Sequence, residues 1–122
     1  AIDIIINEKM IENVRHLEPI FMGGLKNFEV LEFIGESRGI GLMGALEMVQ
    51  DKKNKLPFDG SISIGERVAN KCIENGLICR PLGPSIVLCP PFITSEEEMG
   101  IIFDTLEKTL KEVFSEVKSL GQ

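Results

Sequence analysis

Two short apolar runs on either side of a proline- and glycine-rich turn constrain this chain more than any other stretch. The runs are Ile78–Arg80 and Ile86–Cys89, and Pro81, Gly83 and Pro84 lie between them. β-Branched and apolar residues favour strands, whereas proline cannot donate a hydrogen bond to a neighbouring strand. The stretch is therefore predicted to form a β-hairpin whose turn lies outside the sheet.

Arg80 is the single cation of this hairpin. Because Pro81 restricts Arg80 to an extended backbone, the guanidinium leaves the strand end in few directions. Its planar fork can donate two parallel hydrogen bonds to a carboxylate or a phosphate. The residues alone leave two interpretations open: Arg80 is an anion-binding residue, or it is an ordinary solvated arginine at a strand end.

The length of 122 residues suits one compact domain over residues 1–122. The 13 basic and 19 acidic residues give a net charge of −6, and the basic ones are scattered, so nucleic acid and membrane surfaces are poor partners. No apolar run reaches the ~20 residues that cross a bilayer, and we expect a cytoplasmic protein. The cysteines Cys72, Cys79 and Cys89, with His16 as the one histidine, predict buried free thiols and no metal site.

Apolar residues at three- and four-residue steps predict a long amphipathic helix over residues 2–25. Pro19 inside this pattern predicts a kink or a break of the helix. No capping residue precedes Ala1, so the helix is expected to be already under way at the first residue. We therefore expect the sequence to be part of a longer polypeptide.

From Phe28 the apolar period changes to two, which predicts a second hairpin. Its strands would cover residues 28–34 and 40–49, with the turn near Arg38-Gly39. The stretch Gly39-Ile40-Gly41-Leu42-Met43-Gly44 matches a dinucleotide-binding pattern, but it starts inside a strand and no helix follows. We reject that function and interpret the glycines as points where a helix packs closely on the sheet.

Capping signals predict two further helices. Ser63 and Glu66 match a capping box for a helix that Asn75-Gly76 ends. The predicted apolar side of this helix consists of Val68, Ala69, Cys72 and Ile73. Either Thr94 with Glu97 or Ser95 with Glu98 would cap a last helix that ends near Gly121.

The predicted order is therefore helix, hairpin, helix, hairpin, helix. Helices that cover one face of a small sheet bury such apolar stripes most simply. The sequence thus predicts an α+β fold, in which two hairpins form a small antiparallel sheet and the helices pack on one of its faces.

Three stretches taken together resemble the C-terminal small domain of class III (omega) aminotransferases, which are pyridoxal-phosphate (PLP) enzymes of fold type I. They are Arg38–Glu47, Gly76–Gly83 and Val87–Thr94, the last leading into an acidic helix start. The likeness covers nearly the whole chain. Arg80-Pro81-Leu82-Gly83 is most similar to the omega-amino acid or amine:pyruvate branch, since ornithine-type relatives lack this arginine–proline pair.

The resemblance implies that Arg80 binds the carboxylate of an amino or keto acid and swings out for apolar substrates, while Leu82 helps to wall the pocket. It also implies that the PLP-binding lysine, its acidic partner and the phosphate-binding loop belong to a large domain upstream. The chain alone would then contain no catalytic or cofactor-binding residue and be inactive. Its implied partners are the large domain of the same chain, the second subunit of a homodimer, and small amines and keto acids.

Two functions of other classes stay open from the sequence. One is a free-standing small-molecule-binding or regulatory module in which Arg80 senses a carboxylate metabolite. The other is a structural oligomerisation domain without catalysis.

Overall fold

The computed structural model describes residues 8–90 and 94–120, with side chains from residue 11 onward. The predicted start of the first helix, at residues 2–7, lies outside this range. The described part contains three α-helices, two short 3₁₀ helices and four strands. The α-helices and strands are α1 (Glu8–Asn27), β1 (Ile34–Ile40), β2 (Met43–Met48), α2 (Ile64–Glu74), β3 (Arg80–Leu82), β4 (Ser85–Leu88) and α3 (Glu96–Ser119).

The four strands form one antiparallel sheet in the order β1-β2-β4-β3. Two hairpins, β1–β2 and β3–β4, are joined where β2 pairs with β4. Along that seam Gly44 lies opposite Leu88, and Glu47 lies opposite Ser85. The predicted α+β fold, with a small antiparallel sheet made of two hairpins, is confirmed.

The two faces of the sheet differ in exposure, as expected where side chains alternate along a strand. On β2, Leu46 is buried, whereas Ala45 is half-buried. Leu46 pairs with Ile86 and Ala45 with Val87, and directly paired residues lie on the same face. We call the side of Leu46 the inner face and the side of Ala45 the open face.

Helix α1 covers the inner face of the β1–β2 hairpin. A Cβ atom added to Gly44 would lie 2.3 Å from Leu25 Cδ1, and one added to Gly39 would lie 2.7 Å from Met22 Cε. The prediction that these glycines let a helix approach the sheet is confirmed at both positions. It is wrong at Gly41, where an added Cβ atom would meet nothing within 4 Å.

Helix α3 packs against α1 and α2 and completes the core. The Phe103 ring of α3 stacks on the Phe21 ring of α1, with ring centroids 6.0 Å apart. The buried side chains of α3 are Met99, Leu106, Thr109, Leu110, Val113, Phe114 and Val117. Their three- and four-residue spacing places them on one face of the helix.

Helix α1 contains Pro19 and continues through it, so of the predicted kink or break, the break does not occur. Leu17, Phe21 and Leu25 on this helix are almost fully buried. Burial of such a side chain stabilises the fold by about 1.5–3 kcal/mol. Three of them together outweigh the ~3 kcal/mol that proline costs inside a helix, so core packing keeps the helix continuous.

The first hairpin begins later in the chain than predicted. Residues 28–30 form a short 3₁₀ helix, and Arg38 and Gly39 lie inside β1. The chain reverses at Gly41-Leu42, between the paired residues Ile40 and Met43. Because Gly41 has a φ of +59°, it fits the first position of a two-residue hairpin turn, and the predicted turn near Arg38-Gly39 is wrong.

The two predicted capping boxes have different outcomes. At α3, the Glu98 N–H donates to Ser95 Oγ at 3.1 Å, and the Ser95 N–H donates to Glu98 Oε1 at 2.9 Å. This box is confirmed. Ser63, before α2, has a φ of +51° and makes no side-chain cap hydrogen bond, so the predicted box with Glu66 is wrong.

The end of α2 is the one that Asn75-Gly76 predicts. Gly76 has a φ of +88°, which glycine adopts without strain. The Gly76 N–H donates to Ile73 O at 3.0 Å, and the Leu77 N–H donates to Cys72 O at 2.8 Å. These two bonds form a Schellman motif, which turns the chain sharply back toward the sheet. Ile73, predicted to lie on the apolar side, is 60% exposed.

None of the described helices is both long and apolar enough to cross a membrane. Within the same residues, no three or more His, Cys, Asp and Glu side chains are arranged to hold a metal ion. Cys72 and Cys79 are buried free thiols, as predicted, whereas Cys89 is exposed, contrary to prediction.

Candidate functional site

Arg80 and Leu82, the two predicted substrate-binding residues, lie on the open face of β3. Arg80 pairs with Val87, which belongs to that face, and Leu82 follows two residues later in the alternating pattern. Both side chains are exposed, Leu82 to 68%. The structure therefore brings a guanidinium and an apolar side chain together at one edge of the sheet.

Arg80 ends a row of residues that crosses the whole open face. The strand register aligns Arg80 with Val87, Ala45 and Arg38 in turn. Neighbouring strands lie about 4.8 Å apart, so roughly 14 Å separates the backbones of the two arginines. The row has a cation at each end and small apolar side chains between them.

The two arginines of this row differ in their electrostatic surroundings. Arg38 Nη1 lies 3.7 Å from Glu36 Oε2, so its charge is partly compensated. Among the residues that the structure describes, none places a carboxylate oxygen within 4.0 Å of the Arg80 guanidinium. The fork of Arg80 can therefore donate two parallel hydrogen bonds to an added carboxylate.

The hairpin that carries Arg80 is fixed by backbone contacts with α2 and β2. Helix α2 approaches so closely that a Cβ atom added to Gly65 would lie 2.3 Å from Gly83 O. On the other side, the Met48 N–H donates to Pro84 O at 3.0 Å. Because both contacts involve backbone atoms, the position of this hairpin depends little on side-chain rotamers.

The predicted turn of this hairpin is wrong in part. Pro81 and Leu82 belong to β3, and the turn consists of Gly83-Pro84. Proline is tolerated there because β3 is an edge strand of the sheet. As a result, Leu82 lies on the open face beside Arg80 instead of in a loop.

A groove of about 420 Å³ lies beside the β3–β4 turn, but it does not include Arg80 or Leu82. Its lining residues are Pro57, Phe58, Asp59, Gly60, Ser63, Ile64, Glu66, Pro81, Gly83 and Pro84. The only charged side chains of this lining, Asp59 and Glu66, would repel a carboxylate. The groove is therefore unsuited to the anion that Arg80 would bind.

A second cleft, of about 750 Å³, is lined by Lys52, Lys53 and Lys118 together with acidic side chains. Lys118 Nζ lies 2.6 Å from Glu32 Oε2, and Lys52 Nζ donates to Glu29 O. Two of the three lysines of this cleft are already engaged, so it is a weaker candidate for an anion site than the open face.

Covalent binding of PLP needs a lysine whose pKa is lowered by burial or by neighbouring cations. Among the described lysine side chains, those exposed to solvent are Lys26, Lys52, Lys53, Lys55, Lys108, Lys111 and Lys118. Lys71 is half-buried, but its Nζ lies 3.5 Å from Glu116 Oε2, and Glu116 and Glu74 raise its pKa. The described residues therefore do not fit this cofactor, and the absence of PLP from the isolated chain stays a prediction.

The structure is a small α+β domain that exposes an arginine at the edge of its sheet, and comparison with known proteins identifies the family. Residues 1–110 match the aminotransferase class-III family. The chain belongs to the class III aminotransferase family.

Solved structures and curated relatives agree with this assignment. An omega-transferase from Vibrio fluvialis has a TM-score of 0.92 and 56% sequence identity over 96% of this chain and 28% of its own. An omega-aminotransferase from Paracoccus denitrificans has a TM-score of 0.90 and 57% identity over 95% of this chain and 26% of its own. An uncharacterised aminotransferase of Sinorhizobium fredii is 38% identical over 100% of this chain and 27% of its own length. The chain thus spans about a quarter of the proteins that it matches.

Part of the open face was not predicted from the sequence. The sequence predicts Ala45 and Val87 only as strand residues, and it predicts that Arg38 lies near a turn. They become neighbours only because β2 pairs with β4, which are far apart along the chain. The alternation of side chains along Ile86–Leu88 could have placed Val87 on the same face as Arg80. It does not specify which strand pairs with the other edge of β4.

Proposed function

We propose that the chain is the C-terminal part of an omega-transaminase that moves an amino group from an amine or omega-amino acid to pyruvate or a similar keto acid. Arg80 binds the carboxylate of the acid substrate, and Leu82 forms an apolar wall of the same pocket. The family match, the omega-aminotransferase neighbours and the open-face geometry support this proposal.

The single observation that carries the role of Arg80 is that no carboxylate of the described residues lies within 4.0 Å of its guanidinium, while apolar residues share its face. A guanidinium with a protein carboxylate at its side would have to break that pair before it bound a substrate. Arg80 has no such competitor among the described residues, unlike Arg38 on the same face. Leu82 and Val87 lie on the same face of the sheet as Arg80, so a pocket formed over this face would have an apolar wall beside the guanidinium.

Other parts of the proposed protein would supply the cofactor site, which the described residues do not form. A large domain of the same polypeptide would hold PLP, and a second subunit of a homodimer would complete the pocket. PLP, when bound, supplies the electron sink that amino transfer needs. The contribution of this chain is to bind and orient the carboxylate, and it would be inactive alone.

The test is Arg80→Ala in the intact protein. The substitution removes a charge-assisted pair of ~1.5–3 kcal/mol, so the affinity for pyruvate should fall roughly ten- to a hundredfold. An amine without a carboxylate should react in its own half-reaction almost as before. Arg80→Lys should restore part of the pyruvate affinity, since a point charge cannot reproduce the fork. Single-turnover kinetics of the two half-reactions measure this contrast.

Arg38→Ala is the matched control, because it removes an arginine of the same face that already has a carboxylate partner. We expect a smaller loss of pyruvate affinity for Arg38→Ala than for Arg80→Ala. Equal losses in both half-reactions of the Arg80 variants would instead indicate a structural arginine. No loss in either half-reaction would show that the carboxylate is bound elsewhere.

A further inference from the structure

Ile78, which lies two residues before Arg80, is an apolar side chain that is 82% exposed. Cys79 between them is buried, so exposure alternates here as it does along a strand. The facing chain at the end of β4 alternates in the same way, since Leu88 is buried and Cys89 is exposed. Ile78 therefore extends the open face beyond the first residue of β3.

The side of the open face that includes Leu82 is acidic. The strand register aligns Leu82 with Ser85, Glu47 and Glu36 in turn. The two glutamates lie directly opposite each other on neighbouring strands, so their charges add. A carboxylate on this side would be repelled.

The other side of the open face, which includes Ile78, is apolar. Ile40 pairs with Met43, and they form the next pair on this face after that of Arg38 and Ala45. The two side chains are 78% and 54% exposed. Because Ile40, Met43 and Ile78 are all apolar, this side can shield the hydrocarbon part of a ligand from water.

We propose that Ile78 is a specificity-determining residue, which packs on the hydrocarbon chain of the acid whose carboxylate Arg80 binds. Residues two apart along a strand lie about 7 Å from each other, so one small acid reaches both side chains. The carboxylate meets the guanidinium, and the chain runs toward Ile78 instead of toward the glutamates. This inference rests on the proposed carboxylate-binding role of Arg80.

The same geometry defines the class of acid that binds best. Each CH₂ group that becomes buried raises the affinity roughly fourfold, so acids with several methylene groups next to the carboxylate should bind better than short ones. A second carboxylate at the far end of the chain would lose its hydration against apolar side chains. The preferred ligands are therefore monocarboxylic acids with an extended apolar chain.

The experiment measures how straight-chain acids without an oxo or amino group inhibit the intact protein in competition with pyruvate. Such acids bind but cannot react, so their inhibition constants report affinity alone. The affinity should rise from acetate to hexanoate, and hexanoate should bind better than adipate, which has the same length and a second carboxylate. In Ile78→Ala, hexanoate should bind roughly three- to tenfold more weakly, whereas the acetate affinity should change less than about twofold.

Ile73→Ala is the matched control, because Ile73 is also an exposed isoleucine but lies on α2. It should leave the ratio of the hexanoate and acetate affinities unchanged. Ile78→Glu tests the position of residue 78 independently. Its added carboxylate should compete for Arg80 and weaken acetate binding roughly two- to fivefold, whereas Ile78→Gln should keep the acetate affinity.

The proposal would be overturned by a ratio of the hexanoate and acetate affinities that is the same in Ile78→Ala as in the parent protein, whether both affinities persist or fall equally. If Arg80→Ala weakens acetate binding while the Ile78→Ala ratio is unchanged, only this inference fails. If Arg80→Ala leaves acetate binding intact, the proposed function fails, and this inference fails with it.

Discussion

Gly65 fixes the distance between α2 and the hairpin that presents Arg80. A Cβ atom at this position would lie 2.3 Å from Gly83 O and 3.0 Å from Ser85 O. Both are backbone atoms, which cannot rotate away as the end of a side chain can. Any other residue at this position would force the helix and the hairpin to move apart.

Gly65→Ala should lower the free energy of unfolding by about 1–3 kcal/mol, because the overlap with the hairpin backbone exceeds the ~1 kcal/mol that alanine gains over glycine in a helix. Urea unfolding followed by circular dichroism measures the change. Gly100→Ala is the control, since an added Cβ atom there meets nothing within 4 Å. It should raise stability by about 0.5–1 kcal/mol. Equal effects of the two substitutions would contradict the proposed backbone contact.

At the scale of single elements, the cap of α3 is a measurable source of stability. Ser95→Ala removes the side chain that accepts from the Glu98 N–H, and it should lower the free energy of unfolding by about 1 kcal/mol. Ser63→Ala removes a side chain that makes no cap hydrogen bond, so it should change the free energy of unfolding by less than about 0.5 kcal/mol. A larger loss for Ser63→Ala than for Ser95→Ala would contradict the two cap geometries.

The α3 cap also has a defined pH dependence. Its hydrogen bonds with Ser95 lower the pKa of Glu98 below the ordinary value of 4.5. The stability from this lowered pKa is therefore present above pH 4.5 and is lost as the pH falls through the lowered value. The difference between Ser95→Ala and the parent sequence should shrink in that window when unfolding is repeated at successively lower pH.

The two caps show why a capping-box pattern in the sequence does not by itself determine whether the cap forms. Ser63 and Ser95 are each followed three residues later by glutamate, yet the Ser63 backbone is held at a φ of +51° by the 3₁₀ turn that precedes it. That turn is capped by Asp59, which accepts from the Ser61 N–H at 2.9 Å. The presence of the helices and hairpins could be predicted from local sequence patterns. The geometry of the caps and the register of β1 could not, because they depend on the neighbouring turns.

At the scale of the whole molecule, one core connects all three helices with the sheet. The buried cluster includes Leu17 of α1, Val68 of α2, Leu110 of α3 and Leu46 and Ile86 of the sheet. The fold class and most core positions could be predicted, because periodicity marks which side of each element is apolar. The row of aligned residues from Arg38 to Arg80 could not be predicted, because it depends on the pairing of strands that are far apart along the chain.

Because the core is continuous, residues 1–122 should unfold as one cooperative domain. The chain has seven phenylalanines and no tryptophan or tyrosine, so the near-ultraviolet signal of phenylalanine is the suitable probe of packing. Its thermal transition should coincide with the loss of helix signal in the far ultraviolet. Two separated transitions would show that the hairpins and helices do not form a single unit.

Pro81 has a consequence for how the protein behaves at high concentration. An exposed edge strand with free N–H groups can template another strand and so start fibrils. The edge strand β3 has only three residues, and its central residue has no N–H to donate. The strand that presents Arg80 can thus remain open to small molecules while it resists growth of the sheet by addition of a foreign strand.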